Sequence, residues 1–343
     1  MPYLTAPEDL ATLLGGQPSY RADQLRHWLY QTPVLDLDEM TNLPASLRAG
    51  LAPLWPFTVE EQQEADGGRT IKWLFRAPDG AAIEAVLMGY PSRVTLCISS
   101  QVGCAMGCTF CATGQFGFER HLSAGEIIAQ VAYAKAHLRD HPMPGSPQRL
   151  GNVVFMGMGE PLANYGPVRE AIRRMVDVMD MSARSITVST VGFLPGMLKL
   201  ADEPWPVTLA LSLHAADDDL RQRLVPLNRR YPIDDLIDAA AAFQRTKGRR
   251  VTIEWTLMQG VNDTPDQARA LASIAAELRA HVNVIALNPT PLSAERPPTK
   301  QRVDEFVSRV VAAGANVTLR DTRGQGIDAA CGQLRARKEA KPG

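Results

Sequence analysis

The sequence predicts an α/β fold in which a parallel sheet forms a barrel or partial barrel. From about residue 94 onward, short β-branched runs alternate with amphipathic stretches, and this alternation is typical of βαβ units. Several of the apolar runs end in polar residues, and a parallel barrel places its site at the carboxyl ends of its strands. A doubly wound open sheet would produce a similar alternation and is the structural alternative.

The strands and helices after residue 90 can be assigned in order. Strands are predicted at 94–100, 152–158, 185–190, 207–214, 250–258, 281–288 and 316–321. The helices between them include 123–138, 233–246, 265–280 and 300–314. Ser123 and Glu126 have the S-x-x-E spacing of a capping box, which indicates where the first of these helices begins.

Residues 1–90 differ from the rest and are predicted to form a small accessory region. Two short helices are expected at 21–31 and 38–52, interrupted by prolines. Two or three strands should follow, with turns at Asp66-Gly67-Gly68 and Asp79-Gly80. We therefore expect an N-terminal region over 1–90 and a catalytic core over 91–343.

The composition is that of an ordinary globular protein. Of 343 residues, 45% are hydrophobic and 21% are charged. The sequence contains neither an apolar run long enough to cross a bilayer nor a recognisable secretory signal, so we expect a cytoplasmic protein with no membrane partner. The net charge of −1 gives no global indication of a nucleic-acid partner, and the basic residues Arg335, Arg337, Lys338 and Lys341 are interpreted as a solvated terminus.

The five cysteines are the most informative residues. An odd number without a secretion signal favours metal binding or thiol chemistry over a disulfide scaffold. Cys104, Cys108 and Cys111 form a C-x3-C-x2-C motif directly after a predicted strand. Ordinary cubane clusters take four cysteines, so three would leave one iron open to the amino and carboxylate groups of S-adenosylmethionine. We predict one [4Fe–4S] cluster here, because this spacing is typical of radical SAM enzymes.

A structural zinc site and three uncommitted thiols are the alternatives to a cluster. Structural zinc normally takes four ligands with two paired spacings, and the sequence has no second C-x2-C or H-x3-H motif. Cys97 or His121 could complete a zinc site, although neither has a familiar zinc spacing.

Other candidate binding residues follow predicted strands. Gly157-Met158-Gly159-Glu160-Pro161 follows the strand at 152–158; glycines allow close approach of a ligand to the backbone, and the carboxylate could accept hydrogen bonds from an amino group. The alternative is a turn with a proline at the start of a helix. Polar residues at the ends of later strands are Ser189, Ser212, His214 and Asn288. Each alone is more often a cap or turn residue, but together they predict a site.

Several segments together carry a resemblance to a known family: CISSQVGCAMGCTFCATG (97–114), GMGEPLANY, STVG, SLHAA, LNPTP and RDTRGQGIDAACGQL (320–334). They resemble the RlmN/Cfr family of radical SAM methyltransferases, which act on adenosine in RNA. The match runs from about residue 80 to residue 334, and PSYRADQLRHWLYQ is similar to the family's N-terminal segment. The resemblance implies a partial (β/α)6-type radical SAM barrel with a small N-terminal accessory domain.

The resemblance also implies how the cysteines act. Adenine C2 is electrophilic and cannot attack the methyl group of S-adenosylmethionine directly, whereas a thiolate can. One S-adenosylmethionine would methylate Cys331, and a second would be cleaved at the cluster to a radical that activates this methyl group, so two are used per turnover. Glu84 would remove the ring proton, and Cys97 would attack the Cys331 sulfur to leave a transient disulfide. The implied S-adenosylmethionine contacts are Gly159, Glu160, Ser189, Ser212, Leu213, His214 and Asn288.

Each of these assignments has a simpler alternative. Cys331 could be an inert free thiol, Cys97 could be a core residue, and Glu84 could belong to a surface ion pair. Arg320 and Arg323 flank the Cys331 loop and could contact phosphate or form structural salt bridges.

The leading functional hypothesis is methylation of adenine C2 in 23S rRNA, at the peptidyl-transferase centre, and in the tRNA anticodon loop. A Cfr-like C8 methyltransferase that confers antibiotic resistance is the close alternative. A non-enzymatic RNA-binding module with zinc or a cluster, and a radical SAM enzyme for a small molecule or peptide, are the more distant ones. The family implies an electron donor such as flavodoxin, and a monomer is the default.

Overall fold

The computed structural model describes residues 1–290, 292–321 and 323–334, which contain twelve strands and ten α-helices. The strands are β1 (Thr58–Ala65), β2 (Thr70–Arg76), β3 (Ala82–Tyr90), β4 (Arg93–Cys97), β5 (Gln101–Gly103), β6 (Phe118–His121), β7 (Leu150–Phe155), β8 (Ile186–Thr190), β9 (Thr208–Ser212), β10 (Thr252–Leu257), β11 (His281–Ala286) and β12 (Asn316–Leu319). The basic residues predicted to form a solvated terminus, Arg335, Arg337, Lys338 and Lys341, lie outside the described residues.

The helices lie before the sheet and between its parallel strands. They are α1 (Tyr20–Arg26), α2 (Ala45–Gly50), α3 (Ala112–Gln115), α4 (Ala124–Asp140), α5 (Tyr165–Arg173), α6 (Leu194–Asp202), α7 (Asp218–Leu224), α8 (Ile233–Lys247), α9 (Pro265–Glu277) and α10 (Lys300–Ala312). The described helices include none that is both long and apolar enough to cross a membrane.

Ten strands form one sheet in the order β1-β2-β3-β4-β7-β8-β9-β10-β11-β12. From β4 through β12 neighbouring strands are parallel and follow chain order. A doubly wound sheet reverses its strand order at a switch point, so this alternative is wrong. Six βα units begin with β4 and end with α10, and β12 follows them. The partial (β/α)6 barrel is therefore confirmed.

The N-terminal strands extend the main sheet. β1, β2 and β3 pair antiparallel with one another, and β3 pairs antiparallel with β4, placing Val86 opposite Cys97. The predicted helix at 38–52 is interrupted: a 3-10 turn at Leu37–Glu39 precedes α2, because a proline at position 44 disfavours helical backbone before it. The division near residue 90 stays a prediction.

Helix α4 packs its apolar residues against the first strands. Its capping box is formed as predicted: Ser123 Oγ accepts from Glu126 N at 3.2 Å, and Ser123 N donates to Glu126 Oε2 at 2.8 Å. Tyr133 of this helix meets Trp73 and Phe75 edge-on, with ring centroids 5.4 and 5.3 Å apart. Such pairs stabilise packing beyond the area they bury, so α4 fixes the N-terminal strands against the barrel.

A short hairpin, which the sequence did not predict, encloses the cysteine motif. β5 and β6 pair antiparallel on either side of residues 104–117. At its base Cys104 N donates to Gly117 O at 2.8 Å. Gly103 has φ +73°, and a Cβ on it would lie 2.0 Å from Gly117 O, so only glycine fits. The hairpin therefore fixes both ends of the cysteine loop.

Candidate active site

Two adjoining cavities lie inside the barrel and contain most of the predicted site residues. The first, of about 130 Å³, is lined by Cys104, Cys108, Cys111, Gly159, Glu160, Ser189, Ser212 and His214, together with Cys331. The second, of about 60 Å³, is lined by Cys97, Asn288, Arg320 and again Cys331. Met156, Ile285 and Leu334 also border both. Of the predicted site residues, Cys331 is the one that lines both cavities.

The cysteine motif is held against helix α7. Thr109 N donates to Leu224 O at 3.1 Å, and Cys108 is buried in an apolar cluster that includes Phe110 and Leu224. Burial raises the pKa of Cys104 to about 12 and raises the pKa of Cys108 well above its usual value. A metal centre would have to displace these protons on binding.

The donor set fits a cluster with three protein ligands. Three thiols on one loop line one cavity, which glycine, hydroxyl, imidazole and carboxyl groups also line. In the part of the chain described, no three His, Cys, Asp or Glu side chains are close enough together to bind a single metal ion. A cubane cluster does not need such an arrangement, because each of its cysteines binds a different iron. All five cysteines are free thiols.

Glu160 lines the same cavity as the three motif cysteines and accepts two backbone hydrogen bonds. Leu162 N donates to its Oε1 at 3.0 Å and Val191 N to its Oε2 at 2.9 Å. Burial raises the pKa of Glu160 to about 7, while these hydrogen bonds oppose the rise. The neighbouring Gly159 has φ +101°, and a Cβ there would meet Gln101 Cβ at 2.5 Å. The carboxyl group is thus fixed and aimed at the first cavity.

The ends of β8, β9 and β10 supply hydroxyl and imidazole groups. Ser189 Oγ lies 3.2 Å from Ser212 Oγ. His214 has φ +62°, and its Nδ1 accepts from Thr256 N at 3.0 Å. Burial, followed by the charge of Arg221, lowers the pKa of His214 to about 3. The ring is therefore neutral with its proton on Nε2, which makes it a hydrogen-bond donor at the cavity.

Arg221 is an important residue that the sequence interpretation missed. It is fully buried and donates to Leu213 O at 3.0 Å, Val191 O at 2.6 Å and Asn228 Oδ1 at 2.6 Å. One guanidinium therefore connects the segments that follow β8 and β9. Its sequence context on α7, DDLRQRL, is that of a solvated helix face and carries no signal of this role.

Glu254 was also missed, although a signal was present. This buried carboxylate interrupts the apolar strand β10, pairs in register with Ser212 and lines the first cavity. It accepts from Asn283 Nδ2 at 2.9 Å and lies 3.5 Å from Arg320 Nη1. A carboxylate inside a β-branched run is rarely left unpaired, and the strand VTIEWTLM could have indicated it.

The segment that carries Cys331 is bound at both ends. On its amino side, Gly324 N donates to Asp66 Oδ2 at 3.1 Å. On its carboxyl side, Ala112 N donates to Gly332 O at 2.7 Å and Thr113 Oγ1 donates to Leu334 O at 2.6 Å. Because α3 follows directly from Cys111, these contacts hold the Cys331 segment against the cysteine loop.

The thiols of Cys97 and Cys331 both have raised pKa values, and Arg320 acts on both. Cys331 as a whole residue is exposed. Desolvation of its thiol nevertheless raises the pKa of Cys331 to about 11, and the charge of Arg320 opposes this rise. Burial and then the neighbouring Cys331 raise the pKa of Cys97 to about 12, again opposed by Arg320. Both sulfurs therefore lie within the electrostatic reach of one guanidinium.

Arg320 and Arg323 both contact protein groups in this structure. Arg320 pairs with Glu254 at 3.5 Å. Arg323 Nη1 donates to Gly89 O at 2.9 Å, and its guanidinium lies 4.3 Å from the ring centroid of Tyr90. The structure thus shows structural contacts for Arg320 and Arg323; contact of either residue with phosphate stays a prediction.

Besides Cys97, three predicted site residues lie away from the first cavity. Asn288 lines the second cavity and its Nδ2 donates to Cys331 O at 3.1 Å. Leu213 is fully buried, and its carbonyl accepts from Arg221. Glu84 is 6% exposed and pairs with Lys72 Nζ at 3.2 Å, so it does not belong to a surface ion pair. The proposed roles of all three stay predictions.

Most of the chain matches known protein families and relatives. Residues 98–272 match the Radical SAM superfamily, and residues 10–55 match the ribosomal RNA large subunit methyltransferase N-terminal domain. The chain is 50% identical to the probable dual-specificity RNA methyltransferase RlmN of Parafrankia sp., covering 95% of this chain and 88% of that relative. It is 51% identical to the protein of the same description from Rhodococcus opacus, over 94% of this chain and 90% of that relative.

A solved structure agrees as well. The crystal structure of a radical SAM methyltransferase from Sphaerobacter thermophilus matches with a TM-score of 0.92 and 48% sequence identity. The match covers 98% of this chain and 99% of that chain.

Proposed function

The chain belongs to the RlmN family of radical SAM RNA methyltransferases, and on that premise we propose that it methylates C2 of an adenosine in 23S rRNA and in tRNA. The relatives that bear the RlmN name favour this function over the Cfr-like C8 alternative. The single observation that carries the proposal is the position of Cys331, which lines both the cavity of the three motif cysteines and the cavity of Cys97.

The first half of the reaction needs only Cys331 and S-adenosylmethionine. The Cys331 sulfur takes the methyl group: an S–CH3 bond forms, the sulfonium bond to that carbon breaks, and S-adenosylhomocysteine leaves. The thiol must lose its proton for this attack, and the guanidinium of Arg320 favours the thiolate. Glu160, Ser189, Ser212 and His214 line the cavity in which S-adenosylmethionine would lie.

The second half needs the cluster that Cys104, Cys108 and Cys111 would hold. When bound, the [4Fe–4S] cluster would supply the one-electron reduction that cleaves a second S-adenosylmethionine, and it would later take one electron from the ring adduct. The S-methyl group of Cys331 would lose a hydrogen atom, which ends in 5′-deoxyadenosine, and its methylene carbon would bond to the adenine ring. The base must be unstacked to reach this thiol.

Release of the product uses Glu84 and Cys97. The Glu84 carboxylate takes the ring proton, and the C–H electron pair returns to the ring. The Cys97 thiolate then attacks the Cys331 sulfur; an S–S bond forms, the S–CH2 bond breaks, and the methylene carbon takes a proton to become the methyl group. A thiol reductant must reduce the disulfide before the next turnover. The shared cavity of Cys97 and Cys331 supports this pairing.

The setting of the reaction is also a proposal. We expect an electron donor such as flavodoxin, a monomeric enzyme and a cytoplasmic location, where a disulfide between catalytic cysteines is transient.

Isotope labelling tests the position of methylation. The reconstituted enzyme is incubated with target RNA that contains adenosine deuterated at C2 or at C8, and the methylated nucleoside is analysed by mass spectrometry. We expect loss of deuterium from C2 alone. Loss from C8 alone would establish the Cfr-like alternative instead.

A spectroscopic measurement tests the cofactor independently of RNA. Anaerobically reconstituted protein, reduced with dithionite, should give a [4Fe–4S]+ EPR signal that shifts when S-adenosylmethionine is added. Protein that contains zinc, lacks iron and is EPR-silent would exclude the radical mechanism.

A further inference from the structure

Lys72 of β2 is a buried cation that the mechanism above does not use. Its side chain is 10% exposed and its Nζ lies 3.2 Å from Glu84 Oε1, whose side chain is 8% exposed. The same Nζ lies 3.5 Å from the carbonyl oxygen of Asp328, three residues before Cys331 in the sequence. One ammonium group thus contacts both the proposed base and the segment that carries the proposed methyl carrier.

The strand register places this ion pair on the face that forms the second cavity. Val86 lies opposite Lys72 on one side and opposite Cys97 on the other, and directly opposed residues share a face of the sheet. Glu84 lies two residues before Val86 in β3 and Met88 lies two residues after it. Side chains two residues apart in a strand point to the same face of the sheet, so all three share this face. Met88 lines the second cavity together with Cys97 and Cys331. Glu84 therefore faces the side where the adduct would form.

From this geometry we propose that Lys72 is a positioning residue for Glu84, keeping the buried carboxylate ionised and fixing it relative to the Cys331 segment. The inference rests on the proposed function, because it takes Glu84 as the group that removes the ring proton.

Burial explains why a cation is needed here. A carboxyl group removed from water takes up a proton unless a positive charge or hydrogen-bond donors stabilise its anion. A protonated carboxyl cannot accept the ring proton. The proton on the ring carbon of the adduct is strongly acidic, because its loss restores aromaticity. A weak base can therefore remove this proton, provided that the base is ionised. In the transfer the proton moves from ring carbon to carboxylate oxygen, and the C–H pair returns to the ring.

Other titratable groups lie on the elements packed against β3. β4 contributes Cys97, which burial keeps as a thiol near neutral pH by raising its pKa to about 12. The Cys331 segment contributes Asp328, whose carbonyl meets Lys72, and Arg320, which pairs with Glu254. The cation that the structure places against the Glu84 carboxylate is Lys72.

The test follows single turnovers of the reconstituted holoenzyme with S-adenosylmethionine, dithionite and a tRNA transcript, across pH 6 to 9. Four products are measured: S-methylated Cys331 peptide, 5′-deoxyadenosine, covalent enzyme–RNA adduct and released methylated RNA. The variants are Lys72→Met, Lys72→Gln and Lys72→Arg. Lys72→Gln keeps a donor for the Asp328 carbonyl without the charge, and it serves if Lys72→Met does not fold. Lys135→Met is the control, because Lys135 is a partly buried lysine on α4 that donates to Tyr30 O at 3.1 Å.

We expect the two uncharged variants to form the first three products and to accumulate the adduct. Release of methylated RNA should slow at least ~10-fold at neutral pH and recover as the pH rises, because a buried carboxyl group without a neighbouring cation takes up a proton more readily. Lys72→Arg should release RNA within about threefold of the wild type, since it keeps the charge. Lys135→Met should behave as the wild type.

Comparison with Glu84→Gln separates the inference from the proposed function. If Glu84→Gln slows release and Lys72→Gln does not, the role of Lys72 is refuted while Glu84 stands. If Glu84→Gln releases RNA normally, the base assignment itself is wrong. If Lys72 acts only through Glu84, the double variant Lys72→Gln/Glu84→Gln should release RNA at the same rate as Glu84→Gln alone. A further multiplicative loss would overturn the proposal.

Discussion

Cys331 and Cys97 line the same cavity of about 60 Å³, and Cys331 also lines the neighbouring cavity of about 130 Å³ that contains the three motif cysteines. A carrier thiol in this mechanism must meet S-adenosylmethionine on one side and a resolving thiol on the other. The position of Cys331 meets both requirements without rearrangement of the barrel, and the predictions below rest on this relationship.

Replacement of Cys331 by alanine should abolish RNA methylation and leave the cluster in place. The side chain lies on a segment separate from the cysteine motif, so iron content and the reduced EPR signal should match those of the wild type. Methylated RNA is measured by mass spectrometry after reconstitution. Methyl transfer by Cys331→Ala would refute the carrier role.

Replacement of Cys97 by alanine should trap the enzyme on its RNA. The methylene bridge can form through Cys331, but no second thiol in the cavity attacks its sulfur. A shifted protein–RNA band should persist on a denaturing gel with Cys97→Ala and be absent with the double variant Cys97→Ala/Cys331→Ala. Free turnover by Cys97→Ala would show that another group resolves the adduct.

Replacement of Arg221 by methionine should destabilise the protein and weaken S-adenosylmethionine binding. Several buried acceptors, among them the carbonyls of Leu213 and Val191, would lose their donor, and removing one partner from such a network costs about 3 kcal/mol of unfolding free energy. Chemical denaturation and equilibrium binding provide the two measurements.

Arg269→Met is the matched control for Arg221→Met. Arg269 has a side chain 69% exposed and pairs with Asp266 on the surface of α9, so its replacement should change stability by less than about 0.5 kcal/mol. Equal effects of the two substitutions would mean that Arg221 does not organise the strand ends.

His137 should make stability depend on pH in the mildly acidic range. It is 4% exposed, and burial, followed by the charge of His141, lowers the pKa of His137 to about 4. The unfolded chain, with a pKa near 6.5, binds this proton first. The contribution to stability is therefore complete above about pH 6.5 and is lost as pH falls toward 4, with a slope of at most about 1.4 kcal/mol per pH unit.

Comparison of the wild type with His137→Phe isolates this effect. The difference in unfolding free energy between the two should change steadily from pH 7 to pH 5, measured by denaturant titration under anaerobic conditions. His141→Gln serves as the control because His141 is exposed and stacks on His137 at a centroid distance of 4.6 Å. A difference independent of pH would contradict the assignment.

The sequence predicts the parallel strands and the cysteine motif because both signals are local. β-branched runs indicate strands wherever they pair, and the motif is read from spacing alone. The β5–β6 hairpin was missed because β5 has only three residues, Gln101–Gly103, too few to show alternation. β5 is stabilised by its pairing with β6, and neither segment taken alone has a sequence pattern that indicates this pairing.

The ion pair of Glu84 and the burial of Arg221 could not be predicted for a different reason. Lys72 and Glu84 meet because β2 and β3 pair in one register, and a shift of one residue would place the carboxylate on the opposite face. Arg221 looks like one charge among several on α7; its partners include backbone carbonyl oxygens that follow β8 and β9. Such contacts depend on tertiary register, which sequence periodicity does not contain.

The position of Cys331 after all the strands of the barrel in chain order has a consequence for biosynthesis. Chains fold from the amino terminus as they are translated, so the barrel and the cysteine loop can form before residue 331 leaves the ribosome. A product that terminates before residue 331 could therefore fold and bind the proposed cluster, yet lack the sulfur proposed to carry the methyl group. The contacts of Gly324 with Asp66 and of Leu334 with Thr113 then join this later-made segment to earlier ones. On the proposed mechanism, the enzyme would become active only after the Cys331 segment has been synthesised and has docked against the barrel.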